Sequence, residues 1–182
     1  MNANGINGLQ AAIVADFGQY LSGVQVAIYA GQFSEVATKK TLINVPAVWL
    51  DFESGKQGAD TGTEQVELVC TFTAYAITRV LNNARARNQD AQALAQQVLL
   101  RLQNNRFGLS AISRPSGIDL KPMNYAYLVD NGLGVCAIRW QQSLYLGESV
   151  WDSTGVTPTE VWLGLSPEIG IPYVDKYIRG DL

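Results

Sequence analysis

Histidine is absent from all 182 residues, charged side chains make up only 16% of them, and cysteine and methionine occur twice each. Without histidine there is no Ser-His or Cys-His nucleophile pair and no His-containing metal site, and the commonest general base is missing. Two cysteines do not make a disulfide framework. Cys70 and Cys136 both fall in alternating apolar stretches, where a reduced thiol packs as a small hydrophobe. Cys70 also has no basic residue within its alternation to activate it as a nucleophile. No apolar run approaches the roughly 20 residues of a membrane span. The first cation is Lys39, so no basic segment precedes the first apolar stretch and synthesis in the cytoplasm is the expectation.

What remains is a chain with 47% hydrophobic residues and a net charge of -3. High hydrophobicity with low net charge excludes a disordered chain, and the length suits one domain with a substantial core plus appendages. The reading is a domain over 1–150 and a C-terminal arm over 151–182.

Ile6, Leu9, Ile13, Phe17 and Leu21 recur at helical spacing behind Asn4 as a cap, which predicts a helix over 6–21 ended by Gly23. Val24, Val26 and Ile28 then alternate as a short strand, followed by a mixed stretch from Gly31 to Thr41. In Asn44 to Glu53, Val48, Leu50 and Phe52 share one face and Trp49, Asp51 and Glu53 the other, a strand with one wet face. Ser54 to Gly62, with three glycines, reads as a mobile loop of the kind that carries binding. Thr63 to Val80 alternates throughout and predicts a long strand.

Asn82 to Arg87 forms a polar, basic link. Ala91, Leu94, Ala95, Val98, Leu99 and Leu102 then define a second helix, with Asn88 as its N-cap and Gly108 as its close. Ser110 to Lys121 reads as an irregular or edge segment. Tyr125 to Val129 and Val135 to Leu146 form a hairpin across Asn131-Gly132, the favoured turn dipeptide. The fold class is α+β: a mostly antiparallel sheet of about four strands, with two helices packed on one face and a C-terminal arm. Gly147 to Leu182 holds three prolines, Trp151, Trp162, Tyr173 and Tyr177 and little helical period, and reads as an arm wrapping a neighbour or its own domain.

Few motifs survive their plain readings. Gly132-Leu-Gly-Val-Cys-Ala137 spells a dinucleotide pattern, but a strand begins where that fingerprint needs a helix, so no cofactor is assigned. Asp51 and Glu53 are two carboxylates without a third ligand, more often a solvated face than a metal site. Arg179-Gly-Asp181 is a chance tripeptide in a chain with no mark of secretion. Charge is segregated: residues 1–78 carry a net -4, 79–139 a net +5 and 140–182 a net -4. A basic middle between acidic flanks suits head-to-tail contact between copies, and equally suits neutralisation within one subunit. The arginines lack interleaved aromatics, which argues against a dedicated nucleic-acid surface.

The order of these elements resembles the tail-terminator proteins of long-tailed phages, and within them the Mu-like branch of contractile tails. The resemblance rests on Pro46-Ala-Val-Trp-Leu-Asp-Phe-Glu53, on Asp60-Thr-Gly-Thr63 leading into Val66 to Ala76, and on the helix Ala91 to Leu102. The ending Val161-Trp-Leu-Gly-Leu-Ser-Pro-Glu-Ile-Gly170 with Tyr173 and Tyr177 also carries it. It implies a structural subunit without catalysis, cofactor or metal. Such a subunit forms a homo-hexameric ring on the tail tube, ends tube polymerisation, meets the sheath protein and offers a surface to the head-side connector. DNA would only pass through the lumen, and no membrane is involved. On that reading Lys56, Asp60, Arg79, Arg85 and Arg87 are candidates for ring or tube contact. Trp151, Trp162, Glu168, Tyr173 and Tyr177 are candidates for contact by the arm with sheath or neighbour. A different head-tail completion protein and a small-molecule binding protein are the rival readings.

Overall fold

The computed structural model describes residues 5–29, 45–60, 62–149, 161–167 and 169–180. Asn4, the stretch Gly31 to Thr41, Trp151, Glu168 and Asp181 lie outside them. The chain divides into two compact units, Met1–Gly147 and Glu148–Leu182.

In the first unit, α1 (Ile6–Tyr20) leads through Gly23, whose positive φ of 74° reverses the chain, into β1 (Gln25–Ile28). β2 (Ala47–Gln57), β3 (Val66–Arg79), α2 (Ala84–Leu102), β4 (Ser116–Met123), the short α3 (Ala126–Asp130) and β5 (Leu133–Leu146) follow. The sheet has five strands in the order β1-β2-β3-β5-β4. β1 runs parallel to β2, and every other pairing is antiparallel. The α+β, mostly antiparallel architecture is therefore as the sequence predicts, with one strand more.

Both long helices bury their apolar stripes on one sheet face. Leu9, Ile13, Phe17 and Leu21 of α1 and its end, and Ala91, Leu94, Ala95, Val98 and Leu102 of α2, join Val48, Leu50, Cys70, Phe72, Ala74, Ala76, Ile138 and Trp140 in the main core. Trp140 is fully buried and stacks on Phe72 with centroids 5.6 Å apart, and Phe52 packs on Phe72 at the same distance. The polar end of this core is satisfied as well. Gln142 donates to the carbonyls of Ser113 (2.8 Å) and Asn105 (3.2 Å), and Trp140 Nε1 donates to Gln142 Oε1. Asp16 ties the helices together, accepting two bonds from Arg101 (2.5 and 2.8 Å) and one from Asn105 (3.0 Å). The hydrogen bond to Asp16 holds the guanidinium of Arg101 above its ordinary pKa.

Four local expectations change. α2 starts at Ala84, not beyond Asn88: the Asn83 side chain accepts from the Ala86 N–H at 3.0 Å. Its first turns bury little apolar surface, so periodicity cannot see them. It ends at Leu102, and Gly108 (φ 73°) lies in the loop beyond. The 54–62 segment is not all loop, because Ser54 to Gln57 continue β2, paired to Thr71 back to Leu68. Backbone hydrogen bonds hold this stretch although its side chains are exposed.

Asn131-Gly132 makes no hairpin turn. Residues 126–130 form α3, Gly132 (φ 69°) follows its C-cap with its N–H on the Val129 carbonyl, and β4 pairs with β5 instead. The Asn-Gly pair that favours a tight turn is equally suited to a helix C-terminus. Finally, Trp49 is buried, so the second face of β2 is wet only from Asp51 onward. Trp49 joins Ala47, Ile77, Leu128, Leu133 and Val135 in a smaller apolar cluster on the face opposite α1 and α2. Cys70 and Cys136 are buried and free; Cys70 lies opposite Gln142 and Cys136 opposite Ala76, six positions out of register.

Trp140→Ala should remove about 3–5 kcal/mol of stability, since it deletes the largest fully buried side chain. Urea unfolding followed by circular dichroism measures this, and a loss below about 1 kcal/mol would show that the stack on Phe72 does not organise the core.

Candidate functional site

The sheet face opposite α1 and α2 changes character along the strands. Near the β2 start it is apolar, with Ala47, Ile77, Val135 and Met123 in one row across four strands. One step on, Trp49, Tyr75, Ala137 and Lys121 align, then Asp51, Thr73, Arg139 and Asp119. At Glu53 a bulge shifts the ladder from Phe52–Phe72 to Ser54–Thr71. Glu53 accepts from Thr73 Oγ1 at 2.5 Å and from Arg139 Nε at 2.8 Å.

These residues bound an open groove of about 510 Å³, lined among others by Glu53, Tyr75, Asp119, Lys121, Tyr125 and Arg139. Aromatic rings continue from it, with Tyr29 5.2 Å from Tyr75 and 6.4 Å from Trp49. Burial pushes the Tyr75 hydroxyl up to about 12, with the carboxylates of Asp51 and Glu53 adding to the shift. Burial, and then the charge of Glu53, likewise hold Asp51 above the ordinary carboxylate range, against a lowering hydrogen bond from the Phe52 N–H. Glu53 has Arg139 as its counter-ion, whereas no described cation pairs with Asp51. Among the described residues no three His, Cys, Asp or Glu side chains gather as a metal set. The arrangement is a polar face with one carboxylate more than its cations neutralise.

The contact candidates are scattered. Lys56 is exposed near the end of β2, and Asp60 is exposed in the turn beyond, accepting from the Gly62 N–H at 2.9 Å. Arg79 ends β3 and Arg85 lies in the first turn of α2, both exposed, with Leu81 between them 66% exposed. Arg87 is different: it is 7% exposed, and its guanidinium donates to the Val129 carbonyl at the C-terminus of α3. Its backbone presses on β5, where a Cβ at Gly134 would fall 2.3 Å from the Arg87 carbonyl oxygen. Arg87 is thus an interior strut between α2, α3 and β5, not a surface cation. The one-in-four spacing that buries it emerges only once α2 is seen to begin at Ala84.

In the second unit, β6 (Val161–Leu163) pairs with β7 (Ile178–Gly180), and Ile171–Lys176 forms a 3-10 segment kinked at Tyr173. Trp162 and Tyr173 are exposed, and Lys176 lies over the Tyr173 ring at 5.7 Å. Tyr177 is half-buried, its hydroxyl accepting from the Gly170 N–H at 2.6 Å, so it shapes the unit from within. Leu81, Tyr29 and Tyr125 were missed by sequence reasoning. Tyr75 left a trace, because it makes the second face of the β3 alternation only partly polar.

Asp51→Asn should stabilise the isolated chain near neutral pH. A carboxylate whose folded pKa is raised favours the protonated form, so its ionisation costs stability above that pKa and nothing below the ordinary value. Thermal melts should therefore show the variant ahead of wild type at pH 7 and level with it below about pH 3.5. Equal melting temperatures at pH 7 would mean that the Asp51 charge carries no such cost.

No curated protein sequence matches the chain. Among solved structures it is similar to one described as the PVC sheath/tube terminator in its extended state, from a cryo-EM study of an extracellular contractile injection system. That similarity covers 96% of this chain and 68% of that one, at 15% identity and a TM-score of 0.40. A family described as Bacteriophage Mu, Gp37 matches residues 6–144, which takes in α1 and nearly all of the five-stranded sheet. With most of its length matched, and with the Mu-like tail-terminator resemblance of its sequence, the chain belongs to the bacteriophage Mu Gp37 family and is a structural protein of the phage tail.

Proposed function

We propose that this chain is the subunit of a homo-hexameric ring that caps the head-proximal end of the tail tube, ends tube polymerisation and presents a joining surface to the head-side connector. The carrying observation is in the second unit. Trp162, Leu163, Leu165, Ile169, Ile171, Val174 and Ile178 are all exposed, and none of the unit's described residues is buried. A unit of this size cannot bury a core of its own, and a patch of this kind marks a surface meant for another protein. Each such side chain gains about 1.5–3 kcal/mol on full burial. The candidate partners of the arm are the sheath and a neighbouring copy, with Trp162 and Tyr173 as its exposed aromatic contacts.

On the first unit, Arg79 and Arg85 flank the exposed Leu81, an apolar tip between two cations. Facing them in a neighbour or in the tube would be acidic surface, such as the face bearing Asp51 and Asp119. Lys56 and Asp60 add a second contact at the other end of the sheet. Arg87 has no place in this scheme because its guanidinium is committed to the interior. DNA would pass through the ring lumen without a dedicated binding site.

Light scattering over a range of concentrations, and sedimentation with isolated tubes, test the reading. A discrete species of six times 19.8 kDa, about 119 kDa, or capping of tube ends by the chain supports it. A chain that stays monomeric and does not bind tube ends overturns it. Within it, Arg79→Glu with Arg85→Glu should leave the melting temperature of the monomer nearly unchanged. The pair should weaken assembly by roughly tenfold or more, and less so at high salt. Unchanged assembly would remove both arginines from the interface.

A further inference from the structure

The two edges of the five-stranded sheet are unlike. On β4, Pro122 has no N–H to offer, Lys121 carries a charge, and a bulge between Ser116 and Asp119 breaks the ladder. These are the devices by which a sheet edge is kept from pairing with a foreign strand. β1, at the other edge, has none of them: Gln25-Val-Ala-Ile28 holds no proline, charge or bulge.

The direction of its backbone groups follows from its bonds to β2. Gln25 N–H donates to the Pro46 carbonyl at 3.0 Å and Tyr29 N–H to the Leu50 carbonyl at 2.7 Å. In a parallel ladder alternate residues face the same neighbour, so the N–H and C=O groups of Val26 and Ile28 point away from the sheet. No described strand takes them up. Ile28 itself is 47% exposed.

The second unit has the converse property. Its ribbon of β6 and β7 is two strands wide, and a lone two-stranded ribbon is marginal in water. β6, Val161-Trp-Leu163, is uncharged and three residues long, against four for β1. It therefore matches that edge in length and in the absence of charge.

Resting on the ring reading above, we propose that β6 of one copy adds to the outer edge of β1 in the next copy. The receiving surface of the ring contact is then the pair of outward-facing peptide groups at Val26 and Ile28, with Ile28 and Trp162 as apolar contacts. The polypeptide leaves the first unit at Gly147, past the end of β5, which stands three strand spacings, about 14 Å, from β1. A strand of one copy added to the sheet edge of the next is a head-to-tail contact, the kind that closes into a ring.

Ile28→Pro in the full chain removes one outward N–H without touching the ladder to β2. The expected result is a folded chain, judged by circular dichroism, whose mass falls from about 119 kDa to 19.8 kDa, while Ile28→Val keeps the ring. A folded Ile28→Pro chain that keeps the ring mass overturns the proposal. Should that variant fail to fold, the double variant Ile28→Cys with Leu163→Cys decides, since oxidation should give a ladder of covalent oligomers that neither single variant gives. Rings of wild-type mass without such links overturn it. So do links formed by Ile28→Cys alone, which would mean that two β1 edges meet. A wild-type chain that is monomeric in solution and on isolated tubes overturns the ring reading itself, which separates the two failures.

Discussion

Because β3 pairs all fourteen of its residues with β5 and ten of them, Leu68 to Ile77, with β2, its backbone is committed on both sides and its side chains decide which face of the sheet is dry. Toward the helices it presents Cys70, Phe72, Ala74 and Ala76, two of them small enough to admit the alanines of α2, Ala91 and Ala95, at close range. Toward the other face it presents Thr71, Thr73, Tyr75 and Ile77, a gradient from polar to apolar. The polar face and the core are two sides of one alternation. A shift of one residue in register would exchange them, and the bulge at Glu53 falls between the Phe52–Phe72 and Ser54–Thr71 pairs.

How much of this is legible in the sequence depends on whether an element is held by side chains or by backbone. α1 and β3 bury periodic apolar faces and stand out at once. The first turns of α2 and the outer part of β2 are held by a cap and by a ladder, and leave no hydrophobic period to read. Asn131-Gly132 carries two local meanings, and only the pairing of β4 with β5 chooses between them. In the site, Asp51 and Glu53 are visible as two carboxylates on one face. Their partner Arg139 is 86 residues from Glu53, and nothing local announces it. Arg87 shows the same limit in reverse, since its charge suggests a surface that the packing of Gly134 denies it.

The two units differ in how far each closes its own core. The first has a closed core, a bonded buried glutamine and helices clamped by Asp16, and leaves only the Arg87 Nε unpaired among its described buried side-chain polar atoms. The second does little of this, with the Tyr177 hydroxyl fixing its shape while its large apolar side chains face outward. Assembly can therefore add stability to the second unit without changing the first.

The buried thiols have a chemical consequence of their own. Burial pushes both Cys70 and Cys136 up to about 11, so at neutral pH only about one molecule in ten thousand carries a thiolate at either position. With both thiols withheld from peroxide and from disulfide exchange, and no histidine to bind stray transition metals, cysteine oxidation finds little purchase on the folded chain.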